Sequence, residues 1–362
     1  MIFFSMLYSC IVIAGFVKLN TKSQEMMVER IRLAFYAVET IPPFDLSPGV
    51  LRTIKKTLFS VQHVLWDSNN QTLKLDTNAD YSFPFTIQMP MVQFPPSMNH
   101  EFYRCTFQLI AFIDTPSSMA KLTDPIRTDV SIICMPYVET SLLKLPLSMN
   151  SSKGHLSAKI KMSAREFIPG ETIPISLNVE NNKSAPSNDS LQYVTAHLKL
   201  VQTLHVVAFD DMNDQIKTVA NASHKLLMIN LLSSKGSYCY ADLELKLPAD
   251  ITPSNDYGNL VQISYKLHIS IEQKGPMGGI WNYNVKMNEV PITMGTLGYG
   301  IKSSNELKIY SMFESGPSSS KPMPLPKFMK AIEYEDALPL YDASRLPSYE
   351  SPNTGNTQQP IF

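Results

Sequence analysis

Residues 167–182 read FIPGETIPISLNVENN, and from Glu171 onward apolar side chains alternate with polar ones. Alternation with a period of two residues is typical of a β-strand that buries one face, because successive side chains point to opposite sides of a strand. The Pro and Gly before this run and the Asn residues after it are types that bound strands. The segment is therefore predicted to be a strand between turns.

Similar runs recur along most of the chain. The run ERIRLAFYAVET places Ile31, Leu33 and Phe35 on one face. Arg30 and Arg32 fall on the opposite face. Strands at this spacing, without helical patterns between them, predict an all-β protein built from antiparallel sandwiches. The other runs of this kind are YSFPFTIQMP (81–90), YRCTFQLIAFID (103–114), YVTAHLKLVQTLHVVAF (193–209), SYCYADLELKLP (237–248) and NLVQISYKLHISIEQ (259–273).

Two segments fit more than one prediction. VLRTIKKTLFSVQHVLW (50–66) is compatible with either a helix or a strand. MIFFSMLYSCIVIAGFV (1–17) is apolar enough for the core of a signal peptide, but it lacks a positively charged region in front and is short for a membrane span of about 20 residues. Because it runs directly into alternating residues, we expect a buried β-strand at the start of a first sandwich.

Composition argues against several functional classes. The chain has 362 residues, enough for two domains and a tail, and its formal net charge of −1 gives no global basic field to attract nucleic acid. Its four cysteines, Cys10, Cys105, Cys134 and Cys239, are far apart and form no CxxC pair. Zinc ligation is therefore not expected, and buried free thiols are favoured over disulfides.

No catalytic or cofactor motif is evident in the sequence. It contains no HExxH, GxSxG, P-loop or GxGxxG pattern, and its seven histidines are scattered along the chain. Without a nucleophile–base constellation, we expect a protein that is not an enzyme and that carries no cofactor or metal.

The strand-like segments together resemble arrestin-fold proteins. FIPGETIPISLNVENN (167–182) resembles the opening of the C-terminal arrestin domain, and YSFPFTIQMPMVQFPPSM (81–98), followed by YRCTFQLIAFID, is similar to a run in the N-terminal domain. LKLPADITPS, LVQISYKLHISI and VPITMGTLG (290–298) resemble the end of the family's body. These segments occur in the family's order over residues 10–300, although only IVIAGFVKL (11–19) answers to the family's opening strands.

The variety most similar to this chain is the alpha-arrestins, or arrestin-related trafficking adaptors. The resemblance implies two immunoglobulin-like antiparallel β-sandwiches, no catalysis, and recruitment of ubiquitin ligases to membrane-protein cargo. The expected organisation is an N-terminal sandwich over residues 1–140, with its first strand in question, a linker over 141–152, and a C-terminal sandwich over 153–312. Residues 313–362 are rich in Pro, Ser, Asn and Gln and are predicted to form a disordered tail.

The tail carries two Leu-Pro-x-Tyr peptides, LPLY and LPSY. WW domains bind such peptides, because the Pro favours an extended polyproline-like backbone against an aromatic groove and the Tyr fills a second pocket. In the family that this chain resembles, motifs of this kind recruit WW-containing HECT-type ubiquitin ligases. The residues predicted to bind a WW domain are Leu338, Pro339, Tyr341, Leu346, Pro347 and Tyr349.

The densest basic cluster consists of Arg52, Lys55 and Lys56. Such a cluster is either a solvated face or a contact for acidic cargo tails or anionic lipid, where each basic residue contributes about 1 kcal/mol. Together with the resemblance to alpha-arrestins, the basic cluster favours a cytoplasmic protein that contacts the plasma membrane and endosomes peripherally.

Two other functional classes remain open from the sequence. A retromer-type coat subunit shares the two-sandwich fold, but it has no need of WW ligands. A secreted β-sandwich protein would use the apolar N-terminus as a signal and would be glycosylated at its Asn-x-Ser sequons, which are Asn150, Asn182, Asn188 and Asn221.

Overall fold

In a computed structural model, the regular structure is almost entirely β, and it forms several antiparallel sheets consistent with arrestin-fold sandwiches. The prediction of the fold class is confirmed. The structure describes residues 2–8, 12–20, 26–47, 50–68, 73–76, 79–116, 123–182, 192–207, 213–230, 236–274, 282–313 and 321–329.

The strands of the first half of the chain are β1 (Ile2–Tyr8), β2 (Val12–Asn20), β3 (Met26–Val28), β4 (Arg30–Ser47), β5 (Val50–Asp67), β6 (Leu73–Leu75), β7 (Asp80–Gln88), β8 (Val92–Gln93), β9 (Met98–Asn99), β10 (Arg104–Asp114) and β11 (Ile126–Ile132). The strands of the second half are β12 (Leu147–Lys153), β13 (Leu156–Met162), β14 (Glu166–Phe167), β15 (Thr172–Asn181), β16 (Tyr193–Val206), β17 (Gln215–Leu227), β18 (Ile229–Asn230), β19 (Ser237–Lys246), β20 (Val261–Lys274), β21 (Asn282–Lys286) and β22 (Val290–Met294). After them come β23 (Lys308–Ile309), a 3₁₀ turn (Tyr310–Met312) and β24 (Lys327–Met329).

The first sandwich is built from a sheet with strand order β1-β2-β7-β24 and a sheet with order β11-β10-β4-β5, to which β9 adds by pairing with β10. Side chains from both sheets belong to one core. Ile13 and Ile87 come from the first sheet, and Phe35 and Phe107 come from the second. Burial of these large apolar groups away from water is what holds the two sheets together.

The second sandwich is built from a sheet with order β12-β13-β15-β19-β18 and a sheet with order β14-β22-β20-β16-β17, with β21 paired to β20. Its central strands alternate as their sequences predict: in β15, Ile173, Ile175, Leu177 and Val179 are all buried. Residues 147–152, the second half of the predicted linker 141–152, belong to strand β12. They pair with β13 in a regular antiparallel register.

Strand β4 of the first sandwich also alternates as its sequence predicts. Ile31, Leu33 and Phe35 are buried in the core. On the other face, the guanidinium groups of Arg30 and Arg32 both donate to the Asp114 carboxylate, with Nε–O distances of 2.9 Å and 2.7 Å. These hydrogen bonds lower the pKa of Asp114 against the opposing effect of its burial, which raises it.

Residues 50–66, whose apolar spacing is compatible with a helix or a strand, form the long strand β5. This strand pairs with β4 along its length. Tertiary pairing decides this case, because an 18-residue partner strand supplies the backbone hydrogen bonds that a helix would have made internally. The apolar N-terminus forms β1 and β2, an antiparallel pair, and β2 buries Ile13, Val17 and Leu19. The expected buried strand is therefore present.

Within the region predicted to be a disordered tail, residues 327–329 form strand β24, which pairs with β7 as the fourth strand of the first sheet. Just before that region, β23 pairs with β8. The Phe328 ring of β24 stacks on the His63 ring of β5 with centroids 5.2 Å apart. These pairings are too short to produce a periodic sequence pattern, so composition alone could not reveal them.

No disulfide joins the described cysteines, of which Cys105 and Cys239 are buried and Cys134 is half-buried. Cys10 lies outside the described residues. Within the part of the chain that the structure describes, there is no helix of the length and apolarity needed to span a bilayer.

Gly170 provides a test of the turn that leads into β15. Its φ of +86° is in the left-handed region, and its N–H donates to the Pro248 carbonyl at 3.1 Å. A Cβ would have ordinary space there, with its nearest neighbour at 3.7 Å, so Gly170→Ala should destabilise the protein through backbone strain alone, by about 1–2 kcal/mol. Urea denaturation measures this change.

Gly298→Ala is the matched control for Gly170→Ala. Its backbone is not left-handed, and the added Cβ would meet only the flexible end of Ile301 at 3.1 Å. Equal losses of stability in the two variants would contradict the assignment of strain to the Gly170 turn.

Candidate functional site

The structure places Lys55 and Lys56, two of the three predicted basic residues, in different surroundings. Arg52, Lys55 and Lys56 all lie in β5, where neighbouring side chains point to opposite sides of the sheet. Lys55 is exposed, whereas Lys56 is half-buried, with its ammonium group 5.9 Å from the centre of the Tyr310 ring. The side chain of Arg52 lies outside the described residues. A role for these residues at lipid or acidic cargo remains a prediction.

The six predicted WW-binding residues, Leu338, Pro339, Tyr341, Leu346, Pro347 and Tyr349, also lie outside the described residues. The described segment nearest to them is β24, which ends at Met329. Their role remains a prediction from sequence.

Opposite Lys56, β4 places a buried acid. Glu39 is paired with Lys56 in the register of the two strands, and no part of Glu39 is exposed (0%). Its carboxylate accepts a hydrogen bond from the Tyr103 hydroxyl at 2.7 Å and from the Tyr310 hydroxyl at 3.3 Å and 3.2 Å to its two oxygens. Burial raises the pKa of Glu39, while the two hydroxyls and the positive charge of Lys56 act in the opposite direction.

Tyr310 connects this acid to the second sandwich. Its hydroxyl also accepts a hydrogen bond from the backbone N–H of Asn259 at 2.8 Å, just before β20. Its ring lies near those of Phe94 and Tyr257, with centroids 6.5 Å and 6.3 Å away. The Tyr257 hydroxyl in turn donates to the Phe94 carbonyl at 3.1 Å. We call Glu39, Tyr103, Tyr310, Tyr257 and Asn259 the tyrosine junction, since they link the two sandwiches and the segment that follows them.

A second set of hydrogen bonds joins the exit of the first sandwich to the end of the second. The Val138 carbonyl accepts from the N–H groups of Thr296 and Leu297 at 2.9 Å and 3.1 Å. The Val138 N–H donates to the Thr296 hydroxyl oxygen at 2.8 Å. Gly295 has to be glycine here, because a Cβ would come within 2.2 Å of the Thr140 side chain.

An ion pair adds to this contact between the two segments at the surface. The Glu139 carboxylate accepts from the Lys302 ammonium at 2.7 Å and from the Ser303 hydroxyl at 2.6 Å. These hydrogen bonds lower the pKa of Glu139 to about 2. The connection between the sandwiches is therefore made of backbone, hydroxyl and charged contacts as well as buried rings.

This chemistry suits a structural junction more than a reaction centre. The Cys105 thiol, near Tyr103 and Glu39, is buried, and burial raises its pKa, which disfavours the thiolate. Among the described residues, no group of three or more His, Cys, Asp or Glu side chains is arranged to hold a metal ion. The described contacts fix one part of the chain against another.

Part of the chain matches a known protein family. Residues 152–299 match the family described as the arrestin (or S-antigen) C-terminal domain. The match begins within β12 and ends just after β22, so it spans the second sandwich. The arrestin-like character predicted from sequence is supported for this part of the chain, and arrestin-family proteins are non-enzymatic adaptors. A comparison with curated proteins gave no match.

The tyrosine junction is not predicted from the sequence, although the sequence contains one signal of it. Glu39 follows Ile31, Leu33, Phe35 and Ala37 at the same two-residue spacing, so it falls on the buried face of β4. A carboxylate on a buried face requires hydrogen-bond partners, which marks it as a constrained position. Its partners could not be identified, because Tyr103 and Tyr310 lie far away in the sequence.

The junction predicts a specific dependence of stability on pH. Because the pKa of Glu39 is raised in the fold, the native state holds this proton more tightly than the unfolded chain does. Its contribution to stability is complete below the unfolded pKa of about 4.3 and is lost as the pH rises through the folded value. Glu39→Gln should remove this loss, so the variant should gain stability relative to the native chain as the pH rises from about 4 to 7.

Urea denaturation across that pH range measures the effect. Glu306→Gln is the control, since Glu306 is exposed and lies outside the junction. A difference between Glu39→Gln and the native chain that stays constant with pH would show that Glu39 does not titrate as its burial requires.

Proposed function

We propose that this protein is a non-catalytic trafficking adaptor of the alpha-arrestin type. In this role it binds membrane-protein cargo through its two sandwiches and a WW-domain HECT-type ubiquitin ligase through its tail. The result is ubiquitination, endocytosis and endosomal sorting of the cargo, by a protein that works in the cytoplasm and peripherally at the plasma membrane and endosomes.

The observation that carries the proposal is the combination of an arrestin-like body with paired Leu-Pro-x-Tyr peptides behind it. An arrestin domain fits an adaptor that binds cargo or other proteins. The ligase link rests on the peptides LPLY and LPSY. Two weak sites on one chain increase the apparent affinity for a tandem-WW protein, often by about 10²-fold or more, because the second contact is intramolecular.

The structure gives this tail a fixed starting point. Strand β24 pairs with β7 at the edge of the first sheet, and its last residue is Met329. Residues 330–337 separate it from Leu338. A covalent chain of that length spans at most roughly 30 Å, so a bound WW domain would be held beside the first sandwich. Cargo bound to the same body would then lie within reach of the ligase.

Tyr341→Ala combined with Tyr349→Ala tests the ligase link. Each Tyr fills the second pocket of a WW domain, so the double variant should lose WW binding and each single variant should retain a weaker interaction. Pull-down with a tandem-WW fragment of a HECT-type ligase measures this. Tyr334→Ala is the matched control, because Tyr334 lies in the same tail but follows no Leu-Pro pair. Full binding by the double variant would refute the assignment.

Membrane contact is tested most cleanly at Lys55. The ammonium of Lys56 lies by Tyr310, so changing Lys56 would disturb the tyrosine junction, whereas Lys55 is exposed. Lys55→Glu should weaken binding to anionic vesicles by at least about fivefold, since each basic residue contributes about 1 kcal/mol at such a surface. Co-sedimentation measures it, with Lys159→Glu on an exposed position of β13 as control. Equal binding by the two variants would argue for a solvated face.

A further inference from the structure

The first sandwich contains an apolar cavity that the adaptor role does not use. Its volume is about 380 Å³, and it lies between the two sheets, where Ile13 of β2 faces Phe35 of β4 and Phe107 of β10. The rest of its wall comes from the segment after β7, from the end of β11 and the segment after it, and from one residue after the second sandwich. These are residues 89–94, residues 132–137 and Leu307.

The cavity has a buried floor and an apolar rim. Phe35, Phe107 and Phe94 are buried. Two rim residues are substantially exposed, Ile133 at 62% and Met135 at 44%. Large apolar side chains seldom stay exposed around an apolar opening without a binding role, and Met is flexible enough to adapt to different ligands.

The walls offer little to a polar ligand. None of the described residues that line the cavity is charged. Several backbone groups of the lining are already hydrogen-bonded within the protein. The Phe94 carbonyl accepts from Tyr257, the Pro136 carbonyl accepts from the Thr296 hydroxyl, and the Met91 carbonyl accepts from the N–H of Lys308.

The backbone groups of Cys134 are also hydrogen-bonded within the protein. Its N–H donates to the Ser97 hydroxyl oxygen at 2.8 Å, and its carbonyl accepts from the N–H of Ser97 at 2.7 Å. A peptide added as a strand needs a row of unpaired backbone groups on its host. Because these groups are paired, the cavity is a poor site for a peptide main chain and a good site for a group that makes no hydrogen bonds.

We propose that this cavity binds a single long acyl chain. An apolar cavity of roughly 150 Å³ holds benzene, so a cavity about two and a half times larger accommodates about fifteen carbon atoms. That is the size of a hexadecanoyl chain, which can bend to follow the space between two sheets. The inference depends on neither the tail peptides nor the ligase.

The hydrophobic effect sets the expected strength of binding. Each methylene transferred from water into the cavity contributes about 0.8 kcal/mol, which is about a fourfold gain in affinity per methylene at full burial. Affinity should therefore rise steeply with chain length until the cavity is full and then level off. Partition onto an apolar surface without a defined site would have no such limit.

The experiment measures binding of cis-parinaric acid to the full-length chain by fluorescence and its displacement by octanoate, dodecanoate, hexadecanoate and eicosanoate. We expect affinity to increase at least tenfold from octanoate to dodecanoate and to change little between hexadecanoate and eicosanoate. An S-hexadecanoyl peptide and the same peptide without the acyl group distinguish a protein-borne chain from a free fatty acid. Displacement by either acyl source supports the proposal, and displacement by neither overturns it.

Two variants locate the site. Cys134→Trp places an indole in the cavity and should abolish probe binding, whereas Ser131→Trp adds the same group at an exposed position outside the lining. Ile133→Asp adds a charge at the exposed rim, where folding is not at risk, and should weaken binding at least tenfold. Ile126→Asp is its control, being 44% exposed and outside the lining.

Thermal unfolding of each variant checks that the fold is retained. Probe binding that is unchanged in both Cys134→Trp and Ile133→Asp would overturn the proposal. So would affinity that continues to rise with chain length through eicosanoate.

Discussion

A fully buried carboxylate, that of Glu39, is the constraint on which the arrangement of this molecule depends. Such a group is costly unless its oxygens are hydrogen-bonded, and each hydrogen bond to a charged group contributes roughly 1.5–3 kcal/mol. One donor, Tyr103, belongs to the same sandwich, but the other, Tyr310, comes from beyond the second sandwich. The chain must therefore return from the second sandwich to the first, and that return determines where the tail starts.

Much of the fold follows from local pattern. The two-residue alternation of β4, β10 and β15 predicts which residues are buried, and the Pro169–Gly170 pair predicts the turn before β15. In these elements, local preference and tertiary burial agree. Residues 50–66 show the limit of the method, because their apolar spacing fits two periods and only pairing with β4 decides between them.

The candidate sites were less accessible to sequence reasoning. The position of Glu39 was visible in the alternation of β4, but its partners were not, since contacts between residues far apart in sequence leave no local pattern. The same is true of the apolar cavity, whose lining comes from separate strands and loops whose spacing in the sequence has no common period. By contrast, the proposed Leu-Pro-x-Tyr ligands can be predicted from sequence alone, because a short linear ligand acts through its own adjacent residues.

Under the proposed function, the body presents surfaces to cargo and the tail recruits the ligase. The hydrogen bonds between Val138 and Thr296, together with the tyrosine junction, fasten the second sandwich to the first. Strand β24 then begins the tail at the first sheet. An adaptor needs such an arrangement, because transfer of ubiquitin requires the ligase and the cargo to be close at the same time.

Proximity labelling in cells tests most directly whether this protein links a ligase to membrane cargo. The labelling enzyme is fused to the native chain or to the Tyr341→Ala, Tyr349→Ala double variant. The native chain should label both a WW-domain HECT-type ligase and integral membrane proteins. The altered chain should lose the ligase and keep the membrane proteins. Labelling of neither class by the native chain, or an identical set of labelled proteins from both chains, would contradict it.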